Sequence, residues 1–141
     1  MEHRDLIKDQ IEQLGKILGK IFSNFMGLKT EGNITAGMEI AEQNFKEELD
    51  LDIEIILGQE NKNLSNYLTT KGLTPKHFDQ LSDYLFECGN YFIGIDNNKA
   101  RKTLDKALEL MNLADEESKM YSFERKQKGE NIRGLIRKIN L

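Results

Sequence analysis

The sequence predicts an all-α fold of six to seven helices, arranged as antiparallel helical hairpins in one domain over residues 1–141. Three observations carry this. Apolar residues recur at spacings of three and four in most segments, the period of one helix face. The breaks between segments are short and carry Gly, Asn, Asp or Thr, the residues of turns and caps. A single proline and 31% charged residues favour solvated helices over an all-β design. The 38% of hydrophobic residues is enough for one core at this length.

The first segment sets Ile7, Ile11, Leu14, Leu18, Ile21 and Phe25 in alternating fours and threes, a seam that packs along a whole helix. Leu6, Ile17 and Phe22 widen it, and Gly15 with Gly19 let another backbone approach. Gly27 and the run 29–33 break the pattern. Met38, Ala41, Phe45 and Leu49 then resume it as a second helix, antiparallel to the first. Residues 51–57 alternate like a strand in their first half, yet follow helical neighbours. A short helix is the preferred reading and a strand the alternative. Asn61 to Thr70 reads as a helix closed by Gly72. Thr74-Pro75 announces the next, because Thr caps well and Pro lacks only an N–H that has no partner in the first turn. Phe78, Leu81, Leu85, Cys88 and Phe92 follow on its face. Asp96-Asn97-Asn98 forms a turn before a helix carrying Ala100, Leu104, Ala107, Leu108 and Met111, which ends near Asp115. The last helix runs from about Glu117 towards Lys138, with Met120, Phe123, Ile132, Leu135, Ile136 and Ile139 as its apolar positions. Gly129 and Gly134 weaken it, so a bend or fraying is expected near its middle.

Tyr84, Cys88, Tyr91, Ala100, Leu104 and Ala107 fall in the register of a 34-residue helical hairpin, and residues 81–114 resemble a TPR repeat. In that register Cys88 takes the small position where the helices cross. Glu87 departs where the pattern wants leucine, and Asn112 stands near the place of its closing proline. No second 34-residue copy follows, so other helices must cover the hairpin. The order of segments, with a terminal helix carrying Ser122-Phe123-Glu124-Arg125, is similar to a family of small bacterial TPR-like all-helical proteins. That resemblance carries no activity to transfer. It implies a TPR-like α-α superhelix with a groove for a protein or peptide, a scaffolding role, and Tyr84, Glu87, Tyr91, Arg101 and Lys102 as groove or rim. A companion expectation is a homodimer through the seam of the first helix.

The opening Met1-Glu2-His3-Arg4-Asp5 mixes charges and no long apolar run follows, so neither a signal peptide nor a membrane span is expected. One cysteine, Cys88, forms no internal disulfide, which suits the cytoplasm. The net charge of −4 is unevenly spread: residues 1–60 hold 6 Lys/Arg against 13 Asp/Glu, and residues 61–141 hold 14 against 11. This acidity argues against a dedicated nucleic-acid binder.

No enzyme and no cofactor is expected. His77 and Cys88 lie 11 residues apart on one helix, about 16 Å along its axis, too far for a nucleophile and its base, and His3 could approach only through tertiary folding. Neither Glu-x-x-His nor zinc spacing occurs. Gly27 and Gly32 lack the Lys and Ser/Thr of a phosphate loop. Asp79, Asp83 and Glu87 recur every fourth residue, a ladder that reads as a solvated face before a cation site. After residue 118, Lys119, Arg125, Lys126, Lys128, Arg133, Arg137 and Lys138 face only Glu124 and Glu130, with Tyr121 and Phe123 beside them. The plain expectation is a solvated or internally paired helix. The alternatives are RNA contact through cations and stacking rings, or docking of the acidic segment from Glu39 to Glu54 in the same or another chain.

Overall fold

The computed structural model describes residues 2–140, with side chains described for residues 6–140. Seven helices are present and no strand occurs among the described residues: α1 (Glu2–Thr30), α2 (Ile34–Leu49), α3 (Ile53–Gly58), α4 (Asn61–Thr70), α5 (Pro75–Phe92), α6 (Asn97–Ser118) and α7 (Phe123–Ile139). Residues 51–57 contribute a helix, with Asp52 as N-cap accepting from the Glu54 N–H at 2.9 Å.

Three helix ends differ from the sequence expectation. α1 runs through Gly27 and stops only at Gly32, whose φ of +83° is the left-handed conformation that glycine adopts without steric cost. The Gly32 N–H bonds the Lys29 carbonyl and the Asn33 N–H the Leu28 carbonyl, the pair of bonds of a Schellman stop. At the other end, α6 continues to Ser118 and closes on Lys119 in the left-handed region. The last helix therefore starts at Phe123, with Ser122 accepting from the Arg125 N–H at 3.3 Å. Residues 117 and 118 belong to α6, and 119–122 form the linker. α7 is unbroken through Gly129 and Gly134, because burial of Gly129 and Ile132 supplies what helix propensity withdraws.

The α5–α6 hairpin is antiparallel, with the Ser82 hydroxyl donating to the Ala107 carbonyl at 2.8 Å. The helices approach closely at Gly89, where a Cβ would stand 2.7 Å from the Leu104 side chain. The crossing position is thus Gly89, one residue beyond Cys88. α1 and α2 form the second hairpin, closed near the turn by Gly37 against Leu28 and Phe25. Tyr84 joins α5 to it: its ring packs edge-on against Phe25 of α1 (4.9 Å) and Phe45 of α2 (5.1 Å), and its hydroxyl donates to Glu42 at 3.2 Å. Leu18, Ile21 and Phe25 are buried in this core. The C-terminal half of the α1 seam is therefore closed to a twin helix, while Leu6 and Ile7 stay exposed.

His77, fully buried, ties α1 to α5. Its Nδ1 accepts from the Thr74 N–H at 2.9 Å, which puts the ring proton on Nε2, and Nε2 donates to the Ile11 carbonyl at 2.9 Å. One turn on, Gln80 donates to the Gly15 carbonyl at 2.9 Å. Gly15 and Gly19 thus meet the side chains of His77 and Gln80 rather than a backbone.

Gly89→Ala should lower stability by about 1–3 kcal/mol, because its methyl collides with a buried leucine. Gly27→Ala, with nothing within 4 Å of the added atom, should raise stability by up to about 1 kcal/mol through helix propensity. Urea midpoints of opposite sign are the expected result. Burial holds His77 below its ordinary value of 6.5, so the unfolded chain binds the proton more tightly. Stability should therefore fall as pH drops from 7 through 6.5 towards the folded value. His77→Gln should flatten that part of a urea-midpoint profile.

Candidate interaction surface

The acidic ladder of α5 and the basic α7 answer one another. The Arg125 Nε bonds Asp79 at 2.8 Å and its second nitrogen bonds Asp115 of α6 at 2.9 Å. Lys128 meets Asp83 at 3.0 Å, and Lys29 of α1 meets Glu87 at 2.9 Å. The ladder is a docking strip for two neighbouring helices rather than a solvated face. Likewise, Arg125 and Lys128 are held by α5 and α6, not by the segment from Glu39 to Glu54. Burial pushes the Asp83 carboxyl above its ordinary value, with Lys128 pulling the other way. Arg125 is 14% exposed and spans two carboxylates, so it fixes the start of α7.

Between α1, α5, α6 and α7 lies a cleft of about 200 Å³. Phe22, Phe86, Met111 and Ile132 form its apolar walls, with the Asp83–Lys128 pair and Glu87 at its edge. Of the five groove residues expected from the sequence, only Glu87 lines it. Tyr84 is 1% exposed and belongs to the core, because α1 and α2 cover the face it presents. Tyr91 packs edge-on to Phe92 at 5.3 Å near the end of α5. Arg101 and Lys102 are exposed on the first turns of α6, where Arg101 bonds the Asn140 side chain. The five do not form one groove.

The open apolar surface is elsewhere. Met120, Tyr121 and Phe123 are 69%, 95% and 81% exposed. Tyr121 and Phe123 line a second cleft of about 290 Å³ at the α6–α7 corner, together with Leu108, Lys126 and Arg133. Met120, expected as an apolar position within the last helix, lies before it in the linker, and Phe123 opens α7 exposed to solvent. Arg133 lies along Gly129, its guanidinium 3.4 Å from where a Cβ would stand. Lys126, Arg133, Arg137 and Lys138 are exposed and have no ion-pair partner among the described residues. The corner thus joins bare rings to unpaired cations.

Cys88 is buried and its thiol is pushed up to about 12 by burial, which keeps it protonated. The side chain of His3 lies outside the described residues. Among the described residues, no group of three or more His, Cys, Asp or Glu side chains is placed to hold a metal ion, and no helix is long and apolar enough to cross a membrane. No protein-family model, curated protein or solved structure matches the chain.

The Arg125 role is not legible in the sequence because Asp79 lies 46 residues away, and Asp115 meets Arg125 only through the turn between α6 and α7. The exposed corner had a signal, however: Ser122 with Glu124 two residues on marks a helix start, and it leaves Met120 and Tyr121 outside. Arg125→Ala strands two carboxylates and should cost about 2–3 kcal/mol. Lys128→Ala, at a more exposed pair, should cost less than about 1 kcal/mol. Urea titration, with hydrogen exchange of the α7 amides, reads both.

Proposed function

We propose that this protein is a cytoplasmic protein-interaction module, in which a TPR-like hairpin and its covering helices form a rigid support for a partner-binding corner at α6–α7. The observation that carries this is the exposure of Met120, Tyr121 and Phe123 together. Exposed apolar side chains clustered beside arginine and rimmed by polar groups are the make-up of a protein-binding patch. The linker is anchored on both sides, by the left-handed Lys119 and by the Ser122 cap, so the rings are presented at little further ordering cost. The unpaired Lys126, Arg133, Arg137 and Lys138 favour a partner with an acidic rim.

A second reading draws on the same rings and cations: Tyr121 and Phe123 stack on bases while the cations of α7 meet phosphates of single-stranded nucleic acid. The net charge of −4 ranks it below the protein partner.

The test is recovery of partners from source lysate on the immobilised chain, with and without nuclease. Tyr121→Ala with Phe123→Ala should leave stability within about 0.5 kcal/mol and reduce nuclease-resistant protein recovery by about tenfold or more. Unchanged recovery removes the corner from the binding role. Recovery that vanishes with nuclease and falls steeply with salt places nucleic acid first.

A further inference from the structure

The charge of this molecule is segregated to a degree that its internal ion pairs do not cancel. Residues 31–60 carry nine carboxylates, Glu31, Glu39, Glu42, Glu47, Glu48, Asp50, Asp52, Glu54 and Glu60, against the single cation Lys46. Within this acidic stretch Asp50 is paired with Lys71, Asp52 with Lys46, and Glu42 accepts from Tyr84. Glu39, Glu47, Glu48 and Glu54 remain exposed and have no cation within 4 Å among the described residues. The residues after 118 carry seven cations against two carboxylates, and four of those cations are the unpaired set on α7.

The fold keeps the two flanks apart. α2 packs on α1, whereas α7 packs on α6 and α5, and no substantial α2–α7 contact exists. Each flank also carries open apolar surface. On the outward strip of α2, Ile40 is 46% exposed, with Glu39, Gln43 and Glu47 around it at helical spacing. On the corner, Tyr121 and Phe123 stand beside Lys126 and Arg133. Apolar surface flanked by carboxylates on one side and by cations on the other is complementary in both charge and hydropathy.

We propose that the occupant of the α6–α7 corner is the α2 flank of a second copy of this chain, in a head-to-tail contact. The contact presupposes the protein-binding role proposed above and names its partner. Because its two surfaces differ, it is heterologous, so each copy keeps one free corner and one free α2 flank for further copies.

Sedimentation velocity on nuclease-treated full chain, over a concentration series at ~0.05 M and ~0.5 M salt, tests it. The mass should rise with concentration at low salt and return towards one chain at high salt. Lys126→Glu with Arg133→Glu, and separately Glu39→Lys with Glu47→Lys, should each weaken association by about tenfold or more. Mixing the two variants should restore a species heavier than either, because each still offers one intact face. All four side chains are exposed, and circular dichroism checks that both variants remain folded. Tyr121→Ala is the neutral counterpart and should also weaken association.

A wild-type chain that stays monomeric at every concentration overturns the contact. So does association that neither reversal changes, or that nuclease treatment abolishes. If the chain is monomeric and the Tyr121→Ala, Phe123→Ala variant still loses a lysate protein, the self-contact fails while the protein-binding role stands. If the chain is monomeric and that variant loses nothing, both fail.

Discussion

Burial of α5 on three sides is the constraint from which the rest of the arrangement follows, and each side is satisfied by a different chemistry. Towards α6 it offers Gly89, without which Leu104 could not sit so close. Towards α1 and α2 it offers Tyr84 between two phenylalanine rings, with His77 and Gln80 reaching α1 carbonyls. Towards α7 it offers carboxylates, which leave water only because Arg125 and Lys128 meet them. A helix served in this way has one azimuth. Rotating it by the 100° between successive residues would bring carboxylates against the rings of Phe25 and Phe45, at a desolvation cost that packing could not offset.

Much of this was legible in the sequence, and the limits of legibility have physical causes. Helical period and cap chemistry located α4 and the start of α5, since Thr74-Pro75 and Gly72 act locally. The strand-like alternation of residues 51–57 gives way because Ile53 and Ile56, three residues apart, are buried on one side of α3, with Leu51 buried just ahead of it. Periodicity assigns a residue to a face but does not say which neighbour covers that face. Tyr84 read as a groove residue for that reason. Asp79, Asp83 and Glu87 read as solvated because their partners lie 46, 45 and 58 residues away. The corner is hard to read for a different reason: apolar spacing carries α7 back past its true start at Phe123 and places Met120 inside the helix rather than in the linker.

The consequence for function is a division of labour between two kinds of charge. Arg125, Lys128 and Lys29 are consumed in holding helices together. The remaining cations of α7 contribute nothing to that and are exposed beside rings that also contribute nothing to the core. Surface that is idle in the fold yet held by caps at both ends is where a binding role has room to reside.

Cys88 gives the molecule an intrinsic clock. Its sulfur is shut between α5 and the core, and its proton is held by burial, so a thiol reagent in solution finds no thiolate while the bundle is closed. Since the chain has no second cysteine, every alkylation event counts one excursion in which α5 parts from its neighbours. The helix packed between α1, α6 and α7 therefore carries its own chemical report of its release.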